Sequence, residues 1–88
     1  MASVLKVEVV SREAVVWQGE AKYVRARTAA GDIGVLAGHA PTLALLADDG
    51  ELVIDPVDGE RKTARLQEGF LTVSNDTVVI AATSSSEF

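Results

Sequence analysis

The chain has 88 residues, 48% of them apolar, with a formal net charge of −5 and no cysteine. That length supports one domain, the acidic balance disfavours a nucleic-acid partner that must be held through clustered Lys and Arg, and the missing thiols exclude disulfides, thiolate catalysis and cysteine-based metal sites. No apolar run approaches the ~20 residues of a membrane-spanning helix, and Met1–Val10 lacks the continuous apolar core of a signal peptide, so a soluble protein that does not insert into a membrane is expected.

In chain order, Leu5, Val7 and Val9 alternate with Lys6 and Glu8, the period of a half-buried strand. After a polar turn at Ser11-Arg12-Glu13, Val15 and Trp17 open a second strand, Gly19-Glu20 reads as a hairpin connection, and Lys22–Thr28 alternates again. The run Gly31-Asp32-Ile33-Gly34-Val35-Leu36-Ala37-Gly38-His39-Ala40-Pro41 concentrates three glycines, the one histidine and one of the two prolines, and reads as a loop of specified shape. Thr42–Ala47 is apolar enough to be buried on both sides, Asp48-Asp49-Gly50 is a turn, and Glu51–Asp55 is a strand before the turn at Pro56–Gly59. Arg61–Gln67, Phe70–Val73 and Thr77–Ala82 complete the series, with Ser74-Asn75-Asp76 as the last tight turn.

No segment carries a sustained helical stripe. The expected fold is therefore all-β, a flattened antiparallel sandwich or barrel of about eight to ten short strands. Residues 1–83 form the domain and 84–88 a disordered tail. Trp17 and Phe70 are assigned to the core, and Arg25, Arg27, Arg61, Lys62 and Arg65 to a solvated sheet face.

The residues offer little chemistry. A P-loop needs Lys-Ser/Thr at the start of a helix, whereas Gly38 is followed by His39-Ala40-Pro41, so no nucleotide is expected at the glycine run. A hydrolytic triad would have to use His39 as its base, and no nucleophile elbow accompanies it. One His without Cys leaves only carboxylates for a metal, and Asp48-Asp49 reads as a turn, so neither metal nor cofactor is expected. Asp32, between two glycines, reads as a turn residue bonded to its own backbone or as a contact for a partner's cation.

The glycine run closely resembles the G-[D/E]-[I/F/L]-G-[I/V]-L-P-G-H-A-P segment of the ε subunits of bacterial F-type ATP synthases. Leu5–Ser11 is similar to that family's opening strand, and Gly69–Ala82 (GFLTVSNDTVVIAA) to its closing strands. Ala37 stands where the family usually has Pro, and Glu68 where it often has Gly. The resemblance implies a noncatalytic central-stalk subunit at the cytoplasmic face of the bacterial cell membrane, linking the γ subunit to the c ring and coupling proton translocation to ATP synthesis. It implies ring contact at Gly31, Asp32 and Ile33, and γ contact at Ser11, Arg12, His39, Pro41 and Thr42. Family members commonly continue into a helical hairpin for which this sequence leaves no room, so little hairpin-type inhibition of hydrolysis is expected. The alternatives are a stand-alone sandwich that binds a small ligand, which would want clustered aromatics, and a small hydrolase using His39.

Overall fold

The alternating residues form eight strands in a computed structural model, which describes residues 3–86. They are β1 (Leu5–Val10), β2 (Val15–Thr28), β3 (Gly31–Val35), β4 (Thr42–Leu45), β5 (Gly50–Pro56), β6 (Lys62–Leu66), β7 (Gly69–Ser74) and β8 (Thr77–Ala82). Hydrogen bonding runs in the order β4-β7-β8-β1-β2-β5-β6, with β3 also paired to β2. Every pair is antiparallel except β1 with β8.

The path becomes a sandwich because β2 serves both layers. Its first half, Val15–Ala21, pairs with β1, while Val24–Thr28 pairs with β3 and the stretch Ala21–Ala26 with β5. A register shift between Ala21 and Tyr23 marks the transfer. An extra residue in a strand reverses which side chains face inward, and here the buried set steps from Ala21 to Val24, Ala26 and Thr28. One layer is β4-β7-β8-β1 with the start of β2; the other is β3, the end of β2, β5 and β6.

The inner faces supply the core. Leu5, Val7, Val9, Leu71, Val73, Val78 and Ile80 come from the first layer, and Val24, Ala26, Val35, Leu52, Ile54 and Leu66 from the second. Each fully buried Leu, Ile or Val contributes about 1.5–3 kcal/mol relative to exposure. The one buried polar side chain among the described residues, Thr28, is satisfied: its hydroxyl donates to the Gly31 carbonyl at 2.6 Å and accepts from the Ala30 amide at 3.2 Å, closing the β2–β3 turn. The sandwich expected from the alternation is thus present, with eight strands and without closure into a barrel.

Three local readings are corrected. Gly19-Glu20 is not a hairpin connection, because Gly19 lies mid-strand opposite Val7. Its missing side chain makes room for the Trp17 ring, whose atoms would lie 3.0 Å from an added Cβ. Gly31–Val35 is a strand rather than part of a loop, so only residues 36–41 connect β3 to β4. Thr42–Ala47 is not buried on both sides, since Leu43 and Leu45 are among the most exposed apolar residues described. The segment 84–88, read as a tail, meets β6 over its first part: the Gln67 amide donates to the Ser84 carbonyl, the Ser86 amide to the Arg65 carbonyl, and the Arg65 amide to Ser86 Oγ. Glu87 and Phe88 lie outside the described residues.

Candidate docking surface

The two outer faces of the sandwich differ in chemistry. On the second layer, charges pair across strands. Arg27 Nε donates to Asp32 Oδ1 at 2.6 Å, Arg25 lies 3.7 Å from Asp32 and 3.0 Å from Glu51, and Arg65 lies 3.9 Å from Asp49. Tyr23 covers Gly34, where an added Cβ would come within 2.9 Å of the phenol oxygen. This face is solvated and satisfies its own charges. Pairs this exposed contribute at most about 1 kcal/mol each.

The outer face of the first layer is built otherwise. Cross-strand register aligns Leu45 with Phe70, Phe70 with Ala81, and Ala81 with Val10, which pairs with Val15 of β2. The next outward row runs Leu43, Thr72, Val79, Glu8 and Gln18, and the following one includes Thr77, Lys6 and Glu20. Polarity therefore rises along the strands, from a wholly apolar row to a charged one. Leu43 is 74% exposed, Leu45 69%, Val15 52% and Phe70 43%. Phe70 is accordingly a surface residue and not a core one, whereas Trp17 is partly buried against the core as expected. Exposed apolar side chains aligned across adjacent strands on so small a domain make this face the candidate docking surface.

The structure separates the residues singled out in the sequence. Ser11 and Arg12 follow Val10 directly and, with Gly69, Phe70 and Thr83, line a shallow depression at the apolar end of the face. Thr42 begins β4 at the other end, opposite Val73, and His39 and Pro41 precede it. By strand rise, Ser11 and Thr42 stand roughly 13 Å apart along the strand direction. Gly31, Asp32 and Ile33 open β3 on the second layer, opposite Thr28, Arg27 and Ala26. The length of β3 thus parts Asp32 from His39. Asp32 bonds the Arg27 side chain rather than its own backbone, which corrects the turn reading.

The loop 36–41 is held by local hydrogen bonds. The His39 amide donates to the Leu36 carbonyl at 3.1 Å, and the Gly38 amide donates to Asp76 Oδ1 at 2.7 Å. His39 Nδ1 stands 2.8 Å from the Ala40 carbonyl oxygen, which accepts from it in the Nδ1-protonated tautomer. Thr42 Oγ1 also donates to that carbonyl, at 2.9 Å, and lies 3.5 Å from the ring nitrogen. The shorter of these contacts turns the Thr42 hydroxyl to the backbone carbonyl. Among the described residues, no three His or acidic side chains gather as a metal cluster.

Sequence reasoning missed Leu43, Leu45, Phe70, Val79 and Val10 as surface. The one available signal was the size alternation in β4, where bulky Leu43 and Leu45 alternate with Thr42 and Ala44. It shows two faces without telling which is inside.

Taken together, fold and surface define a small two-layer β-sandwich with one self-paired charged face and one face that is apolar along one end. Residues 4–87 match the family model of the ATP synthase delta/epsilon chain, β-sandwich domain. The ATP synthase epsilon chain of Micrococcus luteus is 52% identical over 81 residues, covering 92% of this chain and 88% of that one. The epsilon chain of Corynebacterium diphtheriae is 49% identical over 78 residues, and there the chain spans 89% of its own length and 63% of the relative's. A chain in the mitochondrial ATP synthase of Euglena gracilis shares the fold, with a TM-score of 0.86 at 24% identity, over 94% of this chain and 52% of that one. The chain belongs to the ATP synthase delta/epsilon family.

Proposed function

We propose that this domain is a noncatalytic central-stalk element of an F-type ATP synthase, held peripherally at the cytoplasmic face of the membrane, and that it joins the γ subunit to the c ring. The observation that carries the reading is the apolar row Leu45, Phe70, Ala81 and Val10, continuous across four strands. That row and Leu43 form the centre of the γ contact. Ser11 and Arg12 lie at one rim, and His39, Pro41 and Thr42 at the other. Gly31, Asp32 and Ile33 are assigned to the ring. A ring cation reaching Asp32 competes with Arg27 and Arg25 for its carboxylate, so this contact sets orientation more than affinity. No helix of the described residues is long and apolar enough to cross a membrane.

Such a role asks for stiffness, which a two-layer sandwich with a close-packed core provides. The test uses the absence of cysteine. Single replacements Leu43→Cys, His39→Cys and Asp32→Cys, each carrying a photoactivated crosslinker, are assembled with the cognate enzyme. The first two should capture γ and the third c. Capture of neither subunit by a folded variant would overturn the reading.

A further inference from the structure

We infer that Asp76 is a positioning residue that latches the 36–41 loop into its docking shape. This rests on the proposal that His39, Pro41 and Thr42 meet a partner. Asn75 and Asp76 are the two central residues between the paired Ser74 and Thr77, both with positive φ, at 49° and 59°. A two-residue hairpin of that geometry favours Asn-Gly, because glycine adopts the second position without strain. Here the second position carries a carboxylate. Its Oδ1 accepts the Gly38 amide at 2.7 Å, and its backbone carbonyl accepts the Lys6 amide at 2.8 Å.

One residue therefore ties together β1, the β7–β8 turn and the loop before β4. Gly38 itself sits at φ 88°, with open space where a side chain would be, inside the turn closed by the His39 amide to Leu36 carbonyl hydrogen bond. That backbone bond is internal to the loop, whereas the Asp76 carboxylate ties the middle of the loop to a different element of the sandwich. The strained choice of Asp over Gly at position 76 is accounted for by this long-range hydrogen bond, which the turn alone does not need.

The experiment compares Asp76→Gly, Asp76→Asn and Asn75→Gly in the 88-residue chain. It reads amide hydrogen exchange at Gly38 by NMR and affinity for the purified cognate γ subunit. Asp76→Gly removes the acceptor while suiting the turn. It should leave the melting temperature within about 4 °C of the parent, speed Gly38 exchange about fivefold or more, and weaken γ binding about three- to tenfold. Asp76→Asn keeps an Oδ1 acceptor and should restore both values, whereas Asn75→Gly relaxes the turn without touching the latch and should change neither. Unaltered Gly38 exchange in Asp76→Gly overturns the latch. Faster exchange with undiminished γ affinity overturns its role in docking. Failure of the parent chain to bind γ at all counts against the stalk reading instead, and the exchange data still decide the latch.

Discussion

Replacing Leu43 and Leu45 together by Thr should uncouple docking from folding. Complete burial of a Leu or Phe side chain is worth about 1.5–3 kcal/mol. Leu43 and Leu45 keep 74% and 69% of their surface in water, so each has about 1–2 kcal/mol left to gain when a partner covers it. Phe70, opposite Leu45 in register, adds about 1 kcal/mol. Threonine retains strand preference but little of the apolar area. The double variant should therefore bind γ more weakly by about 2–3 kcal/mol, a loss of about 30- to 150-fold in affinity. The free domain loses almost no burial, so its unfolding free energy from a urea melt should stay within about 0.5 kcal/mol of the parent. Titration calorimetry with purified γ gives the affinity, and circular dichroism gives the stability. An affinity within about threefold of the parent, in a folded variant, would refute the assignment of this face.

Gly69→Ala should be severely destabilising, because the added Cβ collides with the Ala81 carbonyl oxygen and comes within 2.7 Å of Ala82 Cα; both obstacles are backbone. A loss of about 2–4 kcal/mol in a urea melt is expected. Ile80→Ala opens a cavity at a fully buried position and should cost about 2–5 kcal/mol, measured in the same way. Asp32→Asn, by contrast, disrupts only exposed ion pairs with Arg27 and Arg25, and its stability should fall by less than about 1 kcal/mol. If Asp32 meets a cation of the ring, its loss appears as faster dissociation from a reconstituted ring and not as unfolding.

The sheet was largely legible because period-two alternation is a direct reading of which side chains share a face, and β1, β6, β7 and β8 fall where it places them. The failures have separate physical causes. Gly19 looked like a turn because local sequence records that a side chain is missing, but not that Trp17 fills the space. Gly31–Val35 looked like a loop for the same reason: Gly34 is a strand residue beneath Tyr23. β4 looked buried because an apolar strand reads alike whether its own chain covers it or a partner does. For the site, the glycine run located Asp32 and His39, yet their separation along β3 depends on that run being extended. The aligned row from Leu45 to Val10 joins the β7–β8 hairpin to β4 and β1, which are distant from it in sequence, so only the register reveals it.

The parallel pairing of β1 with β8 sets a condition on how the domain is made. Lys6 is matched to Thr77 and Val9 to Ile80, partners roughly seventy residues apart. During synthesis β1 must therefore wait for β8 before its free edge is filled. Meanwhile β2 can pair with β1 and β5, but the first layer lacks its centre until β7 and β8 emerge. Completion of the first layer is consequently deferred until β8 has emerged, and the pairing that completes it spans nearly the whole domain.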